Sequence, residues 1–472
     1  MVRINSMACT AEKLYQKYHD QHPGTLEEYG AILSTDFVRS QVQLALARYG
    51  GTGHRYNPEE ALDVFPVKTL LQVVRDGYAP LIPDASEPSK TLLQRREDLN
   101  VDRATLARHV NLNEEIVANA ETPGKTARIR EITKLAQYLG LDDRLIGMEP
   151  AARGDAALGV RLRTLAGGDA NTFTPRVVLS LAEAAWVVSR QVYLSEKLGF
   201  KPHSILSESK WTNYNYPTWE QGYVLAERTR LKLGLYEDVP IESLRGLIED
   251  KLGIPLIQLH LPQRFAGATI SNGSDRGIVV NEEGQNKNVC VRRMTMCHEL
   301  GHLLWDPDER LDKLAVDEYD AISEISYRDV HDTAEIRANA FAVAFLAPRS
   351  AIKNIYSETH SLSETVCSVA EKFRISATAS RNHVANILNK EIDHCHINVP
   401  PPSRDWLAAE NLIIDFFPLP ETSVSRRGRF SRLVAKAWTQ GIISTDSAAL
   451  LLECKSEDIA DATRIILEAA PI

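Results

Sequence analysis

The chain has 472 residues, which at about 150 residues per domain predicts roughly three domains, with ample core to fold without disulfides or metals. Its 54 Lys and Arg against 63 Asp and Glu give a net charge of −9, so the whole molecule is no generic polyanion binder, and contact with nucleic acid needs a local basic face. Hydrophobic residues at 44% and charged residues at 25% exclude large-scale disorder.

Residues 1–88 read as an N-terminal helical region. Periodicity predicts helices at 11–18, 26–33, 36–49 and 58–76, and Pro80, Pro83 and Pro88 predict a linker after them. Residues 89–149 predict a run of short helices, with apolar residues at helical spacing and Gly124 and Gly140 as punctuation. That is the size of a helix-turn-helix domain. The Gly/Ala-rich stretch 150–172 predicts a hinge. Two or three helices follow over 175–235, joined by the Trp/Tyr/Asn-rich stretch 207–217.

From 239 the pattern mixes. A helix is expected at 241–252, a strand at 254–261, and strands at 268–271 and 277–281 joined through the hairpin signal Asn272-Gly273. Helices are expected at about 289–305, 332–346 and 363–389. Pro400-Pro401-Pro402 marks a boundary, followed by a C-terminal helical domain at 400–472 with a short extended piece at 412–417. The predicted fold class is mostly α with a small β-sheet (α+β).

The six cysteines are sparse and show no C-x-x-C spacing, which fits free thiols in a reducing compartment. No apolar leader and no run of 18 apolar residues is visible; even 177–188 is broken by Ser180 and Glu183. The expectation is a cytoplasmic protein with no membrane span.

The chemistry concentrates at His298-Glu299-Leu300-Gly301-His302, an H-E-x-x-H on a predicted helix. Residues i and i+4 share one helix face. His298 and His302 can therefore aim imidazole nitrogens at one Zn²⁺, and Glu299, one step round, can reach the water such a metal activates. Met296, Cys297, Leu300, Leu303 and Leu304 form an apolar stripe that anchors the helix. The alternative, two solvated histidines on a surface helix, fits such an apolar helix poorly.

A catalytic zinc needs a third protein ligand. Glu335 is the best candidate, and Ala338 and Ala342 keep its helix face small enough for close approach. Asn339, one turn on, is placed to hydrogen-bond a ligand histidine. His331 is a rival ligand, an oxyanion stabiliser or merely exposed. Asp306, one turn after His302, is either a second partner for a ligand histidine or a helix cap. Cys297 points away from the ligand face. His394-Cys395-His396 reads as structural or exposed.

Several stretches resemble the ImmA/IrrE family of zinc metallopeptidases. They are Ala226-Glu227-Arg228-Thr229-Arg230, Pro240-Ile241, Leu252-Gly253-Ile254, Gly267-Ala268, Ile278-Val279-Val280-Asn281, the H-E-x-x-H helix after Arg292-Arg293, and the run from Glu335 to Pro348. The resemblance covers about 219–350, within a peptidase domain taken as 173–395 with its helical lead-in. It implies Zn²⁺ as cofactor, His298, His302 and Glu335 as ligands, and Glu299 as general base. It also implies a regulatory protein as substrate, such as a repressor or antitoxin, in a stress, mobile-element or phage-defence response. The strands at 277–281 or 268–271 are candidates for pairing with the substrate backbone.

Residues 93–141 resemble an XRE-type helix-turn-helix, through Asp102-Arg103-Ala104-Thr105-Leu106-Ala107, Asn111-Leu112-Asn113, Glu121 and Leu135-Ala136-Gln137-Tyr138-Leu139-Gly140-Leu141. DNA-binding candidates are Asn113, Asn119, Arg128 and Arg130. Yet Glu114 and Glu115 occupy the start of the recognition helix, and residues 91–150 carry nine Lys/Arg against ten Asp/Glu. Phosphate contact dominates non-specific affinity, so this acidic face suits protein contact or homodimerisation as well as an operator. A DNA-binding regulator whose zincin-like domain only senses is the competing class. Arg426-Arg427-Gly428-Arg429 reads as a small basic cluster, either a contact for a phosphate or an acidic partner or, more commonly for such clusters, a solvated face.

Overall fold

The computed structural model describes residues 10–49, 52–148, 173–207, 218–236, 238–272, 274–311, 317–318, 333–392, 401, 403–410 and 417–469. The hinge expected at 150–172, most of the strand expected at 412–417, His331 and the 394–396 cluster lie outside them. Helices dominate, with two small sheets, so the fold is mostly α with a minor β component.

The N-terminal part is not purely helical. Helices α1 (Ala11–Tyr18) and α2 (Leu26–Leu33) lie where expected, each started by a threonine cap. The stretch 36–49 instead forms strands β1 (Phe37–Arg39) and β2 (Gln43–Leu46). With β3 (His54–Tyr56) and β4 (Tyr78–Pro80) they make an antiparallel sheet in the order β3-β1-β2-β4. The physical sign is period two: Gln43 is exposed, while Leu44 and Leu46 are buried. Part of the supposed linker is the fourth strand. The helix expected at 58–76 is two, α3 (Pro58–Val64) and α4 (Val67–Asp76), because Pro66 lacks an N–H and keeps Phe65 extended. A separate core of Tyr29, Ile32, Phe37, Leu44, Leu70 and their neighbours holds this unit.

Helices α5 (Ser89–Asp98), α6 (Arg103–His109), α7 (Glu114–Ala120) and α8 (Ile129–Tyr138) follow. Asp102 caps α6 and Asn113 caps α7, and Asn111 between them adopts φ 52°. Glu121, fully buried, accepts from Arg96 Nε at 2.6 Å and from Arg103 Nε at 2.7 Å, tying α5, α6 and the end of α7 together. Next comes α9 (Pro175–Lys197), a 23-residue helix long and apolar enough to cross a membrane. Seventy-eight per cent of its apolar window is buried inside the protein, so its apolarity serves the core.

The second sheet has the order β5-β7-β6-β8, from β5 (Leu256–Leu259), β6 (Phe265–Asn272), β7 (Asp275–Asn281) and β8 (Asp317–Glu318). β6 and β7 form the expected hairpin, and β5 runs parallel to β7. Both faces are buried, in alternation. Ile257, Leu259, Ala268, Ile270 and Val279 join a core shared with α5–α9 and the C-terminal helices. Leu256, Ile278 and Val280 join the other core, built on α11 (Val289–Trp305) and α12 (Thr333–Leu346). Ahead of β5 the helix expected at 241–252 is a short turn, Leu244–Gly246, running into a π-helical turn at Leu247–Lys251. Helix α10 (Thr218–Lys232) and helices α13 (Arg349–Thr359), α14 (Leu362–Phe373) and α15 (Ala377–Leu388) complete the second core. The helix expected at 363–389 is α14 and α15, parted by Arg374 at φ 56° and the Ser376 cap.

At the C-terminus, α17 (Arg429–Thr439), α18 (Thr445–Leu451) and α19 (Ile459–Ala469) match helices expected at 428–440, 444–453 and 455–468, and α16 (Arg404–Glu410) is a further helix outside that expectation. The arginine cluster before α17 is not a solvated face. Arg426 is fully buried, donating to Glu183 Oε1 at 3.2 Å and to Gln137 Oε1 at 3.1 Å. Arg429 bonds Asp250 at 3.1 Å. Burial of the cation is offset by these partners, which come from three distant segments.

The N-terminal sheet docks on α18. His54 Nε2 lies 2.8 Å from Ser447 Oγ, and Arg55 N donates to Asp446 at 3.0 Å. Burial lowers the His54 imidazole to about 4, with Asp446 opposing. In the unfolded chain it protonates near 6.5. Between those values the unfolded chain binds more protons, so this contribution is complete above pH 6.5 and is lost as pH falls toward 4. The expected size is about 3 kcal/mol at the acid end. Thermal melts of His54→Gln against wild type should show a shallower loss of Tm over that window, and parallel curves would contradict the assignment.

Candidate metal centre

Helix α11 begins at Asn288, whose Oδ1 accepts from Cys290 N at 2.9 Å, and ends at Asp306. Its apolar stripe fills the second core, and its ligand face is also enclosed: His298 and Glu299 are 0% exposed and His302 5%. Helix α12 comes close because Gly301 leaves room; a Cβ there would stand 2.9 Å from Phe341 Cδ1. On the far side of α12, a Cβ at Gly222 of α10 would stand 2.4 Å from the Arg337 carbonyl oxygen. Two glycines thus set the position of Glu335, in the first turn of α12.

Gly222→Ala should therefore cost about 1–3 kcal/mol by overpacking, more than the roughly 1 kcal/mol that alanine gains over glycine in a helix. Chemical denaturation measures it, and an unchanged or raised midpoint would contradict the close contact.

His298, His302 and Glu335 converge. Their ligand atoms all lie within 4.8 Å of one another. The two Nε2 atoms are 3.0 Å apart, and Glu335 oxygens stand 3.2 Å from His298 Nε2 and 3.4 Å from His302 Nε2. The outer nitrogens fix the tautomers. His298 Nδ1 meets Asn339 Oδ1 at 2.8 Å, and His302 Nδ1 meets Asp306 Oδ2 at 2.8 Å. Both partners accept, so each Nδ1 carries the hydrogen and each Nε2 presents a lone pair inward. Two lone pairs at 3.0 Å repel unless a cation or proton lies between them. Glu335 Oε2 is likewise buried without a hydrogen-bond donor. The donor set therefore fits a divalent metal.

The electrostatics agree. Burial alone would lower the His302 pKa, yet the carboxylates of Asp306 and Glu335 on either side of the ring raise it well above the ordinary value. Burial would raise Glu335, but the two histidines hold its carboxyl far down. The pocket thus stabilises positive charge at the point where the three side chains meet.

Sequence reasoning missed three supports. Arg310 donates to Glu335 Oε1 at 2.6 Å and from Nε to Asp306 Oδ2 at 2.8 Å; its i+4 spacing from Asp306 was the available signal. Arg337 also pairs with Asp306. Thr269 of β6 donates to Glu299 Oε2 at 3.0 Å, and Gly267 on the same strand leaves room for Glu299 Oε1. No local pattern links strand to helix here.

Residues 263–383 match the family model described as the IrrE N-terminal-like domain, Peptidase_M78. This supports a metallopeptidase domain of the ImmA/IrrE type. The match runs from β6 to α15 and contains all three ligand candidates and Glu299, whereas the resemblance at 219–262 lies upstream of it. No curated protein matches the chain.

Of the two strands proposed to pair with a substrate, β7 is excluded, because β5 and β6 flank it. β6 has its outer side paired with β8 at Phe265 and Gly267. Among the DNA-binding candidates, Asn113 caps α7, and Asn119 accepts from Lys125 Nζ at 3.0 Å. Arg128 and Arg130 are exposed around the start of α8. These four do not meet at one point with the metal centre. Cys297 is buried, and burial pushes its thiol up to about 12, so it is inert.

Proposed function

We propose that the chain is a zinc-dependent endopeptidase that cleaves a specific regulatory protein, a repressor or an antitoxin-like factor, in a stress, mobile-element or phage-defence response. The observation that carries the reading is the pair of inward Nε2 lone pairs closed off by the Glu335 carboxylate. His298, His302 and Glu335 would hold the metal. When bound, zinc supplies Lewis acidity toward a carbonyl and toward water. Glu299 takes the proton of the attacking water and delivers it to the departing amine nitrogen. Thr269 fixes that carboxylate, and Asn339 and Asp306 fix the ligand rings. Asp306 in turn is held by Arg310 and Arg337.

The α6–α7 pair, locked by Glu121, supports a helix-turn-helix reading of residues 89–149 and so a DNA-binding regulator that senses without cleaving. Against operator binding stand Glu114 and Glu115, both exposed on the first turn of α7 and ion-paired with no cation among the described residues. They favour a protein partner over a phosphate backbone.

The test is made in cells producing the chain. Mapping new protein N-termini should reveal a cleaved regulator with the wild type and none with Glu299→Gln. Identical termini together with an operator shift in a salt-titrated binding assay would favour the sensor reading instead.

A further inference from the structure

Away from the metal centre, a cavity of about 670 Å³ opens where the end of α6, the start of α9, the end of β5 and the loop 420–427 meet. We propose that it binds a phosphorylated small molecule of nucleotide size. The volume lies within the usual range for a small-molecule site.

Its walls carry Arg108, Arg176 and Arg427 together with Thr105, Ser180 and Ser423, whose hydroxyls donate to Asp102, the Arg176 carbonyl and Glu453 and keep lone pairs as acceptors. Two acids also line it. Glu183 is buried and paired with Arg426, so its charge is compensated from outside the cavity, which leaves Glu421 as the one other acid beside Arg108 and Arg176, with Arg427 adding its charge while its guanidinium donates to the Pro420 and Thr422 carbonyls. In a chain of net charge −9 this is a local reversal of sign.

Arg108 and Arg176 form no ion pair among the described residues. Arg108 donates only to neutral groups, the Ala104 carbonyl and Thr105 Oγ1, both at 3.3 Å. Arg176 sits in the first turn of α9, whose Thr174 cap makes no side-chain bond to the helix amides. The positive end of a 23-residue helix therefore adds to the arginines. Guanidinium forks suit a tetrahedral oxyanion with several negative charges. Glu114 and Glu115 on the neighbouring α7 oppose a duplex laid across this side, so a free phosphorylated molecule is favoured over a DNA backbone. Because α6, α9, β5 and the C-terminal loop each supply a wall, such a ligand joins the α5–α8 unit to the peptidase sheet and the C-terminal helices.

The experiment is calorimetric titration of the full chain with pyrophosphate and with ATP, both without magnesium. Citrate and a short DNA duplex are the comparison ligands. Saturable binding of pyrophosphate or ATP is expected, weakened at least tenfold in Arg108→Glu/Arg176→Glu and several-fold in Arg176→Ala. Both positions are exposed, and circular dichroism and a thermal melt establish that the variants remain folded. Binding should persist in Glu299→Gln, which separates this site from the peptidase chemistry. The proposal is overturned by no saturable binding of either phosphate compound, by undiminished binding to folded variants, by equal binding of citrate, or by binding confined to the duplex.

Discussion

Glu299→Gln should lower peptide-bond cleavage by about 10²–10⁴-fold, the range lost with a general acid–base group, while metal content and Tm stay as in the wild type. The variant is nearly isosteric. Its amide oxygen can still accept the Thr269 hydroxyl that holds Glu299 Oε2 at 3.0 Å, and the space left by Gly267 is unchanged. What disappears is a buried carboxylate able to take a proton. The rate of appearance of the cleaved regulator gives the measurement, with metal content determined on the same preparation. Retention of more than a tenth of the activity would remove Glu299 from the chemistry and leave the centre structural or sensory.

The second large effect concerns the ligands. His298→Ala, His302→Ala and Glu335→Gln should each abolish stoichiometric metal binding, because each deletes one of three protein donors. The outer partners should behave differently. Asn339→Ala frees His298 Nδ1 and Asp306→Asn weakens the hold on His302, which typically costs about 10–100-fold in metal affinity. Asp306→Asn should also lower stability, since Arg310 and Arg337 both lose an anionic partner at a nearly buried position. Competition against a chelator of known affinity resolves the two tiers. Equal affinity losses at Asn339 and His298 would contradict the division into ligands and supports.

The same residues explain what could be read in the sequence. Helix α11 was legible to its boundaries because Asn288 caps it, its apolar stripe has helical period, and chemistry and packing occupy opposite faces. The β6–β7 hairpin was legible through Asn272-Gly273. The N-terminal sheet was not, since three- and four-residue strands give too few alternations to outweigh an apparent helical period, and pairing with partners at 54–56 and 78–80 decides their structure. Within the centre, the i, i+4 relations of His298 with His302 and of His302 with Asp306 are local and could be found. The Thr269–Glu299 bond and the burial of Arg426 against Glu183 are not, as they span 30 and 243 positions. A charge cluster becomes a core element only when its partners are brought to it, which no window of sequence contains. The cavity lined by Arg108, Arg176 and Arg427 belongs to the same class.

The central claim is that His298, His302 and Glu335 jointly hold one zinc ion. Anomalous diffraction at the zinc edge, from crystals of the full chain, addresses it most directly. One peak is expected between the two imidazole Nε2 atoms and the Glu335 carboxylate, about 2.0–2.1 Å from each nitrogen. A zinc-loaded crystal with no peak at that point, or with its peak at other residues, would contradict it.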